Sequence, residues 1–181
     1  MREEQWLVGH NTRREKYHKQ YGKTYRPLKW STGLKEMAQE YADKLASVCG
    51  PTVHDSYENR GRYGENLASN TGFDHGAGSW GELKPVDLVM TRFVEREQYW
   101  KPPDNFHYTQ VLWRSSTHVG CADSVGTTSN GAVCRYQVCR YARSGNCDMD
   151  RFNDGSEEWW MEAVLNDQSS CQPFCPPEGC D

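Results

Sequence analysis

Apolar residues recur at intervals of three and four in the first part of the chain, which is the spacing of one helix face. The first such stripe predicts a helix over residues 2–21. The second stripe runs unbroken from Leu34 to Val48, with Ser31 or Thr32 placed to cap the first turn and Gly50 placed to stop the helix. The pattern therefore predicts two amphipathic helices at the start of the chain.

The pattern changes after a third stripe, which predicts a helix over residues 85–100 with Pro85 in its first turn. Short aromatic and β-branched runs follow, namely FHYTQVLW, HVGCADS and AVCRYQVCRYA. These runs predict three neighbouring antiparallel strands. The tail over residues 145–181 contains SEEWWMEAVL, which predicts a short helix, and then no periodicity. Helices, then strands, then a tail indicate an α+β layered domain.

Cysteine usage indicates the compartment. The chain of 181 residues suits one domain. It contains an even number of cysteines, which are Cys49, Cys121, Cys134, Cys139, Cys147, Cys171, Cys175 and Cys180. No two of them form a CxxC pair, and no second half-site appears at zinc-finger spacing. The count therefore favours disulfides and a secreted, oxidised protein over a structural zinc site.

Charge and hydropathy argue against nucleic-acid binding and against a membrane-spanning segment. The net charge is −4 and the basic residues are scattered, which argues against nucleic acid. No apolar run approaches the roughly 18 residues of a membrane span, so we expect no transmembrane segment. The first residues lack the apolar stretch of a secretory signal, and we expect an exported chain whose signal has been removed.

His107 begins the run HYTQVLW and is the first candidate for chemistry. In a strand, His107 and Val111 would share one mostly apolar face, because side chains alternate between the two faces. A lone histidine on such a face is usually a satisfied core residue. The periodicity alone therefore does not assign a function to His107.

Several ordered motifs give the chain a resemblance to a known family. HYTQVLW is preceded by GENLAS and followed by VGCA and CRYARSGN, and HN and LKW occur in the helical part. Together these motifs resemble the CAP superfamily of cysteine-rich secretory proteins, antigen 5 and pathogenesis-related protein 1. The resemblance implies a three-layer α–β–α sandwich with a central three-stranded antiparallel sheet. It implies a CAP domain over residues 1–146, with residues 147–181 as a cysteine-rich C-terminal extension packed on or beside it.

The resemblance also implies a cleft that holds two histidines and two glutamates. By position these are His107, Glu65 of the GEN motif and His54. The fourth member is either Glu95 or Glu97, because the family pattern on the preceding helix is not intact here. At 100° per residue, Glu97 shares the buried face of the predicted helix and Glu95 lies almost opposite. We therefore favour Glu97 as the fourth residue.

Imidazoles and carboxylates are ligands for a divalent cation, with Zn²⁺ the best match. The resemblance implies a secreted binding protein, with a lipid, sterol, extracellular receptor or polysaccharide as partner. The resemblance also implies an alternative, a metal- or histidine-assisted hydrolase of the peptidase type. No catalytic residue is assigned, because HExxH is absent and neither Ser69 nor Thr109 lies in a nucleophile elbow.

The sequence also limits the disulfide pairing. Cys134 and Cys139 are an odd number of residues apart, so in one strand they point to opposite faces and need separate partners. Cys121 on the neighbouring strand and Cys49 at the end of the second helix are available. We predict Cys121 with Cys139 and Cys49 with Cys134. The other four cysteines, in the tail, allow three pairings.

Overall fold

A computed structural model describes residues 1–152, 155–166 and 171–180 of the chain. The helices are α1 (Arg2–Gln20), α2 (Thr32–Val48), α3 (Val86–Phe93), α4 (Phe106–Leu112) and α5 (Glu157–Val164), with a 3₁₀ turn at Met149–Phe152. The strands are β1 (Lys29–Trp30), β2 (Gly64–Gly72), β3 (His118–Thr127) and β4 (Val133–Ala142). No helix in these ranges is both long enough and apolar enough to cross a membrane.

The sheet has four strands in the order β1-β3-β4-β2. β3 pairs with β4 and β4 with β2 in antiparallel fashion, and the short β1 runs parallel to β3. The expectation of a purely antiparallel, three-stranded sheet is therefore wrong, because two residues before α2 add a parallel edge. The mixed α+β class itself is confirmed.

Two segments differ from what the sequence pattern predicts. FHYTQVL forms α4, so His107 lies in the first turn of a helix and not in a strand. The third long strand is β2, with sequence GENLASNTG. Tyr108, Val111 and Leu112 are all buried. Their spacing of three and four is compatible with a helix, and a short apolar run of this kind is also compatible with a strand. β2 has almost no β-branched or aromatic residue, which leaves it without a local strand signal.

The sheet separates two cores. Val119 and Cys121 of β3 face one cluster, to which α1, α3, α4 and α5 contribute, whereas Ala122 faces the other, which α2 covers. Neighbouring strand residues alternate between the two faces, so each face buries its own apolar side chains. Helices therefore cover both sides of the sheet.

Cap chemistry sets the limits of α2. Ser31 is the N-cap residue, and its side chain accepts a hydrogen bond from the backbone N–H of Leu34 at 3.0 Å. Cys49 ends the helix in the left-handed conformation, with φ of 46°. Both ends lie where the sequence predicts them.

Four disulfides use all eight cysteines. They are Cys49–Cys134, Cys121–Cys139, Cys147–Cys171 and Cys175–Cys180. Cys121 and Cys139 lie directly opposite each other in the register of β3 and β4, with Cα atoms 4.1 Å apart. The two bonds that involve the sheet agree with the predicted pairing. The first joins α2 to β4, and the second joins two strands.

The proposed extension packs on the same core as the helices. Met149, Phe152, Trp160 and Val164 are buried in the cluster that includes α4. Residues 153–154, 167–170 and 181 of that extension lie outside the described residues. Apolar packing therefore holds the described part of the tail against the helices, while both disulfides of the tail lie within residues 147–181.

Helix α1 carries buried polar groups that bond to the helix layer and the sheet. Arg14 is fully buried and donates to the carbonyl oxygens of Val111 and Trp113 at 2.9 and 2.8 Å. His10 Nδ1 lies 2.8 Å from the carbonyl oxygen of Trp6, and its Nε2 lies 2.8 Å from the hydroxyl of Tyr141. Burial lowers the pKa of His10 from 6.5 to about 4, so His10 is neutral in the folded protein at pH 7.

The lowered pKa of His10 predicts a loss of stability in mild acid. The unfolded chain takes up a proton near pH 6.5, whereas folded His10 does so only near pH 4, so stability falls as the pH decreases through this window. Between pH 7 and pH 5 this one group should cost about 2 kcal/mol of unfolding free energy. Urea unfolding at both pH values measures the loss.

The variant His10→Gln should show a smaller loss between pH 7 and pH 5, whatever its stability at pH 7. His75→Gln, which removes an exposed histidine, is the matched control and should keep the full loss. An identical pH dependence in His10→Gln and the unmodified protein would contradict the assignment.

Candidate functional site

A cleft of about 540 Å³ opens beside the start of β2. Its walls include His54, the first residues of β2, and the first turn of α4 with His107. The other side is formed by residues 144–147 and by Cys171 and Gln172 of the tail. The Cys147–Cys171 disulfide therefore joins two segments that line the cleft.

His107 is held by Glu97. Its Nδ1 lies 2.6 Å from Glu97 Oε1, a charge-assisted hydrogen bond in which the ring nitrogen donates. The other carboxylate oxygen accepts from the backbone N–H groups of His107 and Tyr108 at 3.1 and 3.2 Å. These N–H groups have no partner within α4, because they belong to its first turn. Glu97 thus orients the imidazole and caps the helix that carries it.

The aromatic ring of Phe93 supports the same imidazole. The two rings stack with centroids 5.1 Å apart and an interplanar angle of 23°. Phe93 is the last residue of α3, and it is almost completely buried. One ring face of His107 is therefore fixed by apolar packing, while one ring nitrogen is fixed by Glu97.

Glu97 reaches His107 from a turn and not from a helix. The predicted helix over residues 85–100 ends at Phe93, and turns follow over residues 94–99. Glu97 is only 5% exposed. Glu95 points elsewhere, because both of its carboxylate oxygens accept from Arg13 Nε at 3.0 Å. The structure thus places Glu97, and not Glu95, beside His107.

His54 and Glu65 form a second pair of the same kind. His54 Nδ1 lies 2.6 Å from Glu65 Oε1, and the same oxygen accepts from the backbone N–H of Asp55 at 3.1 Å. The Glu65 side chain is completely buried, whereas that of His54 is 58% exposed. The imidazole therefore projects into the cleft from a buried carboxylate.

Arg140 neutralises the buried acids behind His54, and the sequence analysis missed it. Its Nη1 lies 2.6 Å from Glu65 Oε2, and its Nη2 lies 2.9 Å from Asp55 Oδ2. Glu65 and Arg140 are register partners on β2 and β4, so their side chains are cross-strand neighbours. Predicting this contact from the sequence requires the register between β2 and β4, and the sequence pattern did not predict β2.

The four predicted side chains are brought together as two pairs and not as one cluster. In the described ranges, no three of them place ligand atoms within 4.8 Å of one another. Each glutamate accepts a hydrogen bond from Nδ1 of its histidine. Each imidazole keeps Nε2 for another partner, since no group in the described part of the chain bonds to it. The arrangement has the form of two carboxylate–histidine dyads that border one cleft.

A different group of potential ligands lies in the core. His10, Cys121 and Cys139 place their ligand atoms within 4.8 Å of one another. The two sulfur atoms are bonded to each other, so neither is a thiolate. Both ring nitrogens of His10 have protein partners. In the oxidised protein this cluster is a packing feature and not a metal centre.

The hydroxyls near the motifs have other bonds. The Ser69 hydroxyl lies 2.5 Å from the hydroxyl of Thr52. Thr109 donates to Asn146 Oδ1 at 2.7 Å and lies within α4. Neither hydroxyl is hydrogen-bonded to His54 or His107, which a histidine-activated nucleophile requires.

Replacing Arg140 tests the buried ion network. Arg140→Met should destabilise the protein by about 3–5 kcal/mol, because it leaves the Glu65 and Asp55 carboxylates without a counter-charge. Arg135→Met on the same strand is the control, since the Asp74 carboxylate that it bonds to is 34% exposed. The control should cost much less, because solvent screens the exposed carboxylate of its ion pair. Similar costs for the two variants, measured by urea unfolding, would contradict the account of the network.

Comparison with known proteins places the chain in a family. A sequence profile described as the cysteine-rich secretory protein family, CAP, matches residues 9–141. Pathogenesis-related protein 1B of Nicotiana tabacum is 34% identical over 152 residues, which span 80% of this chain and 76% of the relative.

Solved structures share the fold at lower identity. The crystal structure of NaASP2 with Zn²⁺ aligns with a TM-score of 0.57 and 16% identity, over 80% of each chain. The hookworm platelet inhibitor aligns with a TM-score of 0.55 and 20% identity, over 87% of this chain and 86% of that one. The profile match, the plant relative and the shared fold lead to one conclusion: this chain belongs to the CAP family.

Proposed function

We propose that the protein is an extracellular binding protein whose cleft holds a divalent cation through Nε2 of His54 and Nε2 of His107. The observation that carries this proposal is the pair of 2.6 Å bonds from each Nδ1 to a buried carboxylate. A metal-ligating histidine commonly donates its other ring N–H to a carboxylate, which fixes the tautomer and raises the basicity of the ligating nitrogen. Both histidines have this arrangement.

The donor set fits zinc better than calcium or magnesium. Neutral imidazole nitrogen is a preferred ligand for Zn²⁺, whereas calcium and magnesium prefer oxygen. In our proposal Glu65 and Glu97 orient the histidines, and solvent or a ligand completes the coordination of the ion. One structurally similar protein, NaASP2, has been crystallised with Zn²⁺.

A bound cation would supply positive charge and open coordination positions to a polar ligand in the cleft. The protein's own side chains orient the two imidazole rings. Glu97 and Phe93 fix the plane of the His107 ring, and Glu65 fixes the ring of His54. The family resemblance makes a lipid, a sterol, a receptor or a polysaccharide the expected class of partner.

Binding is favoured over hydrolysis. Ser69 and Thr109, the hydroxyls nearest the motifs, bond to other groups, so we infer that neither is an activated nucleophile. The disulfides favour an extracellular location, because such bonds persist in oxidising compartments. Residues 147–181 act, in this proposal, as an extension of a CAP domain over residues 1–146 and complete one wall of the cleft through Cys171 and Gln172.

Zinc titration by calorimetry tests the proposal. The unmodified protein should bind one equivalent, and His54→Ala or His107→Ala should abolish this binding. Glu65→Gln and Glu97→Gln should weaken it by about 10- to 100-fold, because they remove the groups that orient the ligands. His75→Ala, at an exposed histidine outside the cleft, is the matched control and should bind normally.

The same variants separate binding from catalysis. We expect no peptide or ester turnover at high protein concentration, with or without zinc. Zinc binding that survives both histidine substitutions would overturn the proposed site. Turnover that is lost in His107→Ala would overturn the binding-only function.

A further inference from the structure

A second groove lies on the other side of His107, along the outer edge of the sheet. Its volume is about 550 Å³. One wall consists of five consecutive residues of β2, from Leu67 to Thr71. The opposite wall includes Trp80, Arg92 and Arg96. A groove that follows a strand over five successive residues can accommodate an extended polypeptide segment.

β2 is an edge strand, so half of its backbone hydrogen-bonding groups face away from β4. The carbonyl oxygen of Ser69 points away from β4 into the groove, because it accepts a hydrogen bond from Arg92 Nη1 at 3.4 Å. In an antiparallel pair these outward groups belong to alternate residues, so those of Leu67 and Thr71 face the same side. The groove therefore runs beside a row of backbone donors and acceptors that β4 does not use.

A loop closes one end of this edge and presents a tryptophan there. Asn70 Nδ2 donates to the carbonyl oxygens of Trp80 and Glu82 at 2.6 and 3.1 Å, and the Asn70 side chain is buried. The backbone N–H of Gly81 donates to the carbonyl oxygen of Phe73 at 3.2 Å. Trp80 nevertheless remains 73% exposed. Hydrogen bonds to β2 and Phe73 therefore fix the backbone of the loop, while the indole of Trp80 is exposed to solvent.

The groove has positive charge that the described residues do not neutralise. Neither Arg92 nor Arg96 forms a salt bridge in the described part of the chain; Arg92 bonds to the Ser69 carbonyl and Arg96 lies 5.5 Å from the Trp100 ring. Arg13 is different, because it bonds to the carboxylates of Asp87 and Glu95. The carboxylate that lines the groove is that of Glu97, and it is already bonded to His107.

We propose that this groove binds an extended acidic peptide segment of a partner protein, which adds to β2 as a further strand. Backbone hydrogen bonds to Leu67, Ser69 and Thr71 would supply affinity, as in other cases of strand addition. Alternate carboxylates of the peptide would face Arg92 and Arg96, and an apolar side chain would pack on Trp80. An anionic polysaccharide would match the charge alone, whereas a peptide also matches the row of backbone groups.

This inference goes beyond the proposed cation site and does not depend on it. The proposed contacts come from β2, the loop at Trp80 and the two arginines; His107 borders both sites, whereas His54 and Glu65 line only the first cleft. His54→Ala, which removes zinc binding and lies outside the groove, should therefore leave peptide binding intact.

The test uses the hexapeptide acetyl-Val-Glu-Val-Glu-Val-Glu-amide and the ¹⁵N-labelled full chain. We expect saturable shifts of the backbone amide signals of Leu67, Ser69 and Thr71, and slower hydrogen exchange at these amides in the complex. The corresponding Val-Lys hexapeptide and the acidic peptide built from D-residues should bind at least about tenfold more weakly.

Two pairs of variants separate charge from backbone pairing. Arg92→Glu with Arg96→Glu should weaken binding at least about tenfold, because the groove then repels the peptide. Lys44→Glu with Arg151→Glu makes the same change in net charge elsewhere and should bind normally. Thr71→Pro should also weaken binding, since it removes an outward N–H that β4 does not use, whereas Thr71→Ala should not.

Thermal unfolding and zinc titration of each variant confirm that it is folded. Absence of binding at millimolar peptide would overturn the proposal, as would shifts confined to other surfaces. Equal binding of the D-peptide would show that backbone pairing is not involved and would also overturn it. Heparin that binds the groove while the acidic peptide does not would assign the arginines to a polysaccharide instead.

Discussion

The buried ion pair between Arg140 and Glu65 is the interaction on which the cleft depends. It joins the inner strand β4 to the edge strand β2, in a place where neither charge reaches solvent. Breaking such a pair leaves a buried charge without compensation, so each partner requires the other. Because Glu65 is held in this way, its second oxygen is available at a fixed position for His54. The orientation of an exposed imidazole thus follows from a contact inside the sheet.

The other half of the cleft uses the same chemistry with a different support. Glu97 is buried beside the first turn of α4, and its carboxylate satisfies backbone N–H groups that the helix leaves unpaired. Arg14 of α1 bonds to the carbonyl oxygens at the other end of α4 and so holds the helix that carries His107. The two histidines belong to distant parts of the chain, yet each is fixed by a buried carboxylate. The proposed joint binding of one ion rests on this common arrangement.

The sequence predicted the parts of the fold that have a strong local signal. α2 has an unbroken apolar stripe and a serine cap, and both of its ends were predicted correctly. α4 was mistaken for a strand, because a short buried run has no periodicity that excludes either structure. β2 has no local strand signal at all, and it exists because it pairs with β4. The prediction of a layered α+β class was correct despite both errors, since it depends on the order of many elements.

The candidate site shows the same division between local and long-range information. The family motifs indicated His54, Glu65 and His107, and the helical projection favoured Glu97 over Glu95 even though the helix ends before either residue. The role of Arg140 could not be predicted, because it depends on the register between two strands that are far apart in sequence. The division into two carboxylate–histidine dyads also needed three-dimensional geometry, because the motifs name the residues and not their contacts.

The central claim is that the two dyads present their Nε2 atoms to one cation. Anomalous diffraction at the zinc absorption edge, from crystals of the zinc-loaded protein, tests it most directly. The account predicts one anomalous peak in the cleft, bonded to Nε2 of His54 and of His107, with both Nδ1 atoms still bonded to Glu65 and Glu97. A peak at any other position, or a zinc ion bonded to Nδ1 after displacement of a glutamate, would contradict it.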